Sequence, residues 1–300
     1  MTSCLGSPFK QFPAVRGKEN QFMDKNGRRH HGYETDKAPY PLSYCPEVLE
    51  MEALDLVYTQ TVKQSVTFVD FPHGPPQRSL SLGCGYGHWV IEAAKEWPNC
   101  EFIGFDLMNI QIPLAVLDDS TTRRIKWVHG NFLTNRLPFD DDEFDHIHIA
   151  RLAKGIPESK VRSDEFLNHD YPQWSSLFEE VLRVLRPGGA VELLEEDIIF
   201  PTLPHWFTEP LRVRAGKSQA VHLPDVSEAP PVLAVPDPYH QLPHDHALLE
   251  SLYYAVFENR FINLKPTAIL ASSFNAYFSG VWSAPALKFP MPPIRPPPPP

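Results

Sequence analysis

Residues 80–87 read LSLGCGYG, a short apolar run that ends in Gly83, Gly85 and Gly87 and leads into a helix-like stretch from His88 to Trp97, stopped by Pro98. A strand that runs into a glycine cluster and then a helix is a ligand-binding turn in outline. Gly83 permits a sharp reversal. Gly85 lets the backbone come close to a ligand, and Gly87 lets the start of the helix pack against the strand. The helix N-terminus adds unpaired N–H groups and the positive end of a dipole. Dinucleotide sites favour GxGxxG, and His88 occupies the sixth position here, so that pattern is missed by one residue.

Outward from this turn, the chain alternates strands with helices. EFIGFD (101–106) reads as the next strand and ends in Asp106. A carboxylate at a strand end can accept hydrogen bonds from both hydroxyls of a ribose, and it can equally cap the following turn. RIKWVHG (124–130) and FDHIHIA (144–150) are strands, the second with period-two alternation. Between 107 and 123, Pro113 leaves room for a short helix only. Ser176 to Arg186 reads as a helix with Leu177, Phe178, Val181, Leu182 and Leu185 on one face. It is opened by a Ser176/Glu179 capping box and stopped by Pro187-Gly188-Gly189. AVELLEE (190–196) is the strand after it. Such alternation predicts an α/β fold with a doubly wound parallel sheet covered on both faces. Ahead of it, Pro46–Ser65 carries Val48, Met51, Leu54, Tyr58 and Val62 at helical spacing, which predicts a helix with Pro46 in its first turn.

Composition sets the outer bounds. The 300 residues are 42% hydrophobic, which suits a globular chain. The 27 Lys and Arg against 37 Asp and Glu give a net charge of −10, which argues against bulk nucleic-acid binding. Cys4, Cys45, Cys84 and Cys100 show neither CxxC nor metal-like spacing and read as free thiols. The sequence shows no apolar run long enough to span a membrane and no secretory signal at its start, so the expected compartment is the cytoplasm, with the nucleus left open. The organisation expected is a flexible polar arm over 1–32, a helical extension over 33–78, the α/β core over 79–200, a proline-rich linker over 201–245, a helical segment over 246–284 and a proline-rich tail over 285–300.

Three blocks together resemble class I S-adenosylmethionine (AdoMet)-dependent methyltransferases: RSLSLGCGYGHWVIEAAKEWPNCEFIGFDL, HGNFLTNRLPFDDDEFDHIHIA and LFEEVLRVLRPGGAVELLEED, in family order over 79–197. The narrower likeness is to fungal methyltransferase-domain proteins. The resemblance implies a Rossmann-like, mostly parallel sheet, AdoMet as cofactor and methyl transfer as the reaction. It implies that Gly83, Cys84, Gly85 and Gly87 wrap the methionine part of the cofactor and that Asp106 holds the ribose. Leu107 and Phe132 then lie against the adenine, Asn131 reads its amino group, and Ala150 lines the methionine pocket. Tyr44 is expected to fold over the cofactor. No catalytic residue is implied, because the cofactor carries the reactive group.

Two departures from the family accompany it. Ser81 stands where the family commonly has an acid, two residues before the first motif glycine. Residues 198–285 also show no pair of strands for the hairpin that completes the family's sheet. Either helices replace it, leaving an incomplete C-terminal edge, or the chain is a shortened form of a longer one.

Other polar groups are weighed against plainer roles. His146 and His148 read as structural histidines on a strand. His240, His244 and His246 fit no firm zinc pattern, so no metal is expected. Asp140 to Glu143 reads as a solvated loop. Glu195, Glu196 and Asp197 end a strand where ligands bind in such sheets, and a structural role is as well supported. The expected partner is a small-molecule acceptor, with neither nucleic acid nor membrane. Two alternatives are a non-catalytic AdoMet-fold regulatory protein and an NAD(P)-dependent oxidoreductase.

Overall fold

The computed structural model describes residues 21–158, 173–200 and 247–286. The main unit comprises residues up to Asp197 together with Phe257–Trp282. Its centre is a five-stranded parallel sheet in the order β5-β4-β3-β6-β7. The strands are β3 (Arg78–Leu82), β4 (Glu101–Asp106), β5 (Ile125–His129), β6 (Phe144–Ala150) and β7 (Leu185–Leu194). The chain enters at the middle with β3, winds out through β4 to β5, then returns to the other side of β3 for β6 and β7. The reversal places a crevice at the carboxyl ends of β3 and β6, the place where open α/β sheets bind ligands.

The β-strand alternation sorts side chains to two cores. Leu80, Leu82, Ile103, Phe105, Ile147 and Ile149 form one core with Phe178, Val181 and Val184 of helix α4 (Gln173–Val184). Helix α6 (Thr267–Tyr277) adds to that face, with Phe274 against Phe178. On the opposite face, Phe102 and Ile125 meet Trp89, Val90, Ile91, Ala93 and Ala94 of helix α2 (His88–Glu96). Between β4 and β5 lie only a 3₁₀ turn, Leu114–Val116, and a four-residue helix α3 (Asp119–Thr122) capped by the side chain of Asp118. This is the short helix that Pro113 allows.

Several elements differ from the sequence reading. The polar stretch read as a flexible arm contains an antiparallel hairpin, β1 (Phe22–Lys25) with β2 (Arg28–His31), turned by Asn26 and Gly27 at positive φ. An Asn-Gly turn of this kind suits the twist of a two-residue hairpin. Residues 1–20 lie outside the described residues.

Helix α1 (Pro46–Lys63) forms where expected, but its periodic stripe does not face the core. Met51, Leu54, Val57, Tyr58 and Val62 are 47–58% exposed, and Leu56 packs on the core instead.

Helix α4 already includes Gln173, so Ser176 is inside it and caps nothing. It ends at Val184. Pro187, Gly188 and Gly189 sit in an irregularity of β7, where the pairing jumps from Phe144↔Leu185 to His146↔Ala190. Gly188 has φ +81°, and a Cβ on Gly189 would lie 2.9 Å from the carbonyl oxygen of Asp145. The glycines there serve a bulge within the strand.

After β7 the described residues contain no strand. The expected C-terminal helical segment is divided between the two units. Helix α5 (Ala247–Glu258) belongs mostly to the second unit, in which Tyr254 donates to the carbonyl of Ile198 at 2.8 Å and Tyr253 meets Phe200. Helix α6 belongs to the main unit. The proline-rich linker, the His240/His244/His246 group and the tail beyond 286 lie outside the described residues.

One contact explains two glycines. The Trp127 ring of β5 lies across Gly104 of β4 and against Gly87 at the start of α2. A Cβ would stand 2.5 Å from the ring at Gly104 and 2.6 Å at Gly87. Gly104→Ala is expected to destabilise the fold by about 1–3 kcal/mol through overpacking. Adding Trp127→Leu should recover part of the loss, so that the two changes are non-additive in urea unfolding.

Candidate cofactor site

The glycine turn is built from positive-φ residues: Gly83 at +72°, Gly85 at +54° and Gly87 at +89°. Its first half is tied to β4, because the N–H groups of Gly83 and Cys84 both donate to the carbonyl of Phe105, at 2.8 and 3.0 Å. A Cβ on Gly83 would strike Leu152 at 2.4 Å. Gly87 then caps α2 with no side chain of its own.

Asp106 joins this turn to the end of β4. Its Oδ2 accepts from Gly85 N–H at 2.8 Å and its Oδ1 from Met108 N–H at 2.9 Å. Burial pushes its pKa up to about 6, against the opposing pull of the backbone donors at Met108, Gly85 and Leu107. A carboxylate has about four lone-pair positions, so these backbone donors leave some acceptor capacity for a further donor.

Two glutamines that the sequence reading missed brace the same region. Gln111 donates to the carbonyls of Gly85 and Met108, both at 2.9 Å, and its Oε1 lies 2.7 Å from His129 Nε2. Gln21, almost wholly buried, pairs with the backbone of Asn109. Its Oε1 accepts from Asn109 N–H at 2.9 Å, and its Nε2 donates to Asn109 carbonyl at 3.3 Å. No motif marks either glutamine: Gln21 acts on the distant backbone of Asn109, and Gln111 joins the distant Gly85 to its own neighbour Met108.

The remaining expected site residues divide. Asn131 donates from Nδ2 to the carbonyl of Lys37 at 2.7 Å and accepts from Leu133 N–H at 3.0 Å, so it links β5 to the N-terminal segment. Phe132 is half-buried against the main core, and Leu107 is half-buried beside Asp106. Cys84 is half-buried in the glycine turn. Ala150 ends β6, and Arg151 follows it in the left-handed region at φ +52°, an uncommon conformation for a side-chain-bearing residue. Tyr44 is buried in the N-terminal segment, with Phe22 and Tyr40 at ring distances of 5.7 and 5.8 Å.

The three acids after β7 have structural partners. Glu195 Oε1 accepts from the N–H groups of Leu152 and Ala153 at 2.7 and 3.1 Å. Glu196 pairs with Lys154 at 2.6 Å, and Asp197 accepts from Thr267 N–H at 3.1 Å at the start of α6. In the acid run, Asp141 pairs with Arg183 and Glu143 with Arg78, at 2.9 and 2.7 Å. Cys100 is buried, which pushes its thiol up to about 12 and makes it inert. Among the described residues there is no group of metal-ligating side chains, and no helix is long and apolar enough to cross a membrane.

With this geometry in view, residues 80–189 match the model of a family described as methyltransferase domain. This segment is therefore similar to a methyltransferase domain. Among curated relatives, the secondary metabolism regulator laeA of Aspergillus niger is 29% identical over 186 residues, covering 59% of this chain and 41% of the relative. The protein-methionine methyltransferase laeA of Emericella nidulans is 27% identical over 190 residues, covering 60% and 42%. A demethylmenaquinone methyltransferase of Staphylococcus aureus is 30% identical over 128 residues, covering 42% and 45%. The chain thus spans about two-fifths of the length of these relatives.

The likeness to a methyltransferase domain implies AdoMet, and the donor set at the crevice fits it. The glycine turn presents backbone beside the N-terminus of α2, and the acceptor capacity left on Asp106 suits a ribose hydroxyl.

The raised acid at the domain's edge gives a stability signature. Burial pushes Glu195 up to about 8, above its value in the unfolded chain. The folded state therefore binds the extra proton between about pH 4.5 and 8, and its contribution is lost as pH rises through that window. In thermal unfolding, Glu195→Gln keeps an acceptor for Leu152 and Ala153 and should lose less stability than wild type between pH 6 and 8.

Proposed function

We propose that this chain is an AdoMet-dependent methyltransferase acting on a small-molecule acceptor. The observation that carries the reading is Asp106, bound to the Gly85 N–H of the glycine turn and retaining acceptor capacity at the crevice between β3 and β6. When bound, AdoMet would supply an electrophilic methyl group open to in-line attack by a nucleophile on the acceptor, the C–S bond breaking so that S-adenosylhomocysteine leaves.

The chain's part is to bind, orient and exclude water. Asp106 takes the ribose hydroxyls. Gly83, Cys84, Gly85 and Gly87 approach the amino-acid part through backbone, and Leu107 and Phe132 offer apolar surface to the base. Asn131 retains one amide hydrogen and one lone pair for the adenine edge. The acids that end β7 are engaged by Leu152, Ala153, Lys154 and Thr267, so no general base is assigned among them. The net charge of −10 works against a polyanionic acceptor.

A second reading is a regulatory protein on the same fold. It is favoured by the names of the laeA relatives as secondary metabolism regulators and by the absence of a strand after β7 among the described residues. Cofactor bound without methyl transfer to any acceptor would support it.

Calorimetric titration with S-adenosylhomocysteine tests the site. Saturable binding is expected for the 300-residue chain, a loss of about tenfold or more in Asp106→Ala, and no binding of NAD. No binding of S-adenosylhomocysteine by the folded chain would overturn the reading. Because the ionised carboxylate accepts the ribose hydroxyls, affinity should rise with pH through about 6 and level off above it. Asp106→Asn should bind more weakly and flatten that dependence.

A further inference from the structure

Near the carboxyl ends of its strands, the sheet carries a row of register partners running Gly104, Ser81, His148, Glu192 across four strands. Ser81, His148 and Glu192 are all buried. His148 Nδ1 lies 2.9 Å from Glu192 Oε1, and its ring stacks on Trp89 with centroids 3.8 Å apart and planes 3° apart. Trp89 is itself fixed by donating from Nε1 to the carbonyl of Val66 at 2.7 Å.

Glu192 is a well-served carboxylate. Its Oε2 accepts from Thr67 Oγ1 and from Phe68 N–H, both at 3.0 Å. His146 Nε2 stands 3.3 Å from Oε1 but makes no aligned hydrogen bond. Burial alone would raise Glu192, and the two histidines outweigh it, holding the acid below the usual carboxylate range. Burial lowers His148, against the pull of Glu192, so the imidazole is neutral. An ionised carboxylate only accepts, which places the proton on Nδ1 and leaves Nε2 as an acceptor on the opposite edge of the ring.

The two histidines differ in access. His146 is fully buried and bonded through Nδ1 to Ser79 Oγ at 2.9 Å. His148, one strand-repeat nearer the crevice, keeps 6% exposure, and its Nε2 has no hydrogen-bond partner among the described residues. Its neighbour across the strand, Ser81, leads in two residues to Gly83 of the glycine turn.

We propose that His148, oriented by Glu192, is the residue that holds the amino-acid end of the cofactor, its Nε2 accepting a hydrogen bond from the methionine ammonium. The carboxylate missing at position 81 is thereby supplied from β7, through the imidazole. The negative charge of Glu192 behind Nδ1 strengthens Nε2 as an acceptor for a cation. This rests on the reading of the crevice as an AdoMet site and adds a specific positioning role to it.

The test compares two ligands on the full chain. S-adenosylhomocysteine carries the amino-acid end, and 5′-methylthioadenosine lacks it. In calorimetry, His148→Phe, which keeps a ring on Trp89, and Glu192→Gln, which keeps the histidine, should each weaken S-adenosylhomocysteine by about tenfold or more. Both should leave 5′-methylthioadenosine within about twofold of wild type, which also reports that the variants fold.

Nitrogen-15 NMR of the imidazole needs no variant. The Nε2 resonance of His148 should move on adding S-adenosylhomocysteine and stay in place with 5′-methylthioadenosine. Equal weakening of both ligands, an unchanged preference between them, or a resonance that responds alike to both would overturn the proposal. If neither ligand binds wild type, the reading of the crevice fails and this assignment fails with it.

Discussion

The carboxylate of Asp106 sits where three pieces of chain meet. It ends β4, it takes the N–H of Gly85 from the turn after β3, and it takes the N–H of Met108 from its own following loop. Buried backbone donors need partners, and a positive-φ turn leaves its N–H groups pointing away from any ladder. The carboxylate satisfies two of them at once. Gln111 binds the Gly85 carbonyl from the other side, and Gln21 binds the backbone of Asn109. This cluster of side-chain-to-backbone bonds ties the glycine turn to the loop after β4.

The sheet beneath supplies rigidity, and it does so through unequal faces. The face toward α4 and α6 is apolar from Leu80 to Phe178. The face toward α2 is aromatic and polar, with Trp89, Trp97 and Phe102 around His146 and His148. A buried polar group is costly unless it is bonded. Here Ser79, Thr67 and the Phe68 N–H bind the histidines or Glu192, so the polar side of the core is paired almost throughout. Trp127 closes the edge of this face over two residues without side chains, Gly87 and Gly104.

Much of this was legible in the residues. EFIGFD and FDHIHIA form strands with the bounds read from the sequence, the first as a short apolar run and the second from its alternation. The glycine turn and Asp106 were legible for a related reason: only glycine takes those φ values cheaply. What escaped was tertiary. The stripe on α1 has helical period, and period alone does not say which face is covered. RVLRPGG reads as a helix stop, while the fold uses its glycines in a bulge of β7. Gln21 and Gln111 act on distant backbone, and no local pattern marks them. Ser81 looked like a loss in isolation. Only the strand register reveals Glu192 in the same row.

The N-terminal segment adds a border to the crevice. Gln21 reaches the loop after β4, Lys37 offers its carbonyl to Asn131 after β5, and Tyr40 lies beside Gly155 after β6. The crevice, the carboxylate and this border together make the central claim a spatial one. A crystal structure of the chain grown with S-adenosylhomocysteine tests it most directly. The account predicts ligand density at the carboxyl ends of β3 and β6, with the ribose hydroxyls on Asp106 and the amino-acid end along the glycine turn. Density elsewhere, or a ligand whose ribose makes no contact with Asp106, would contradict it.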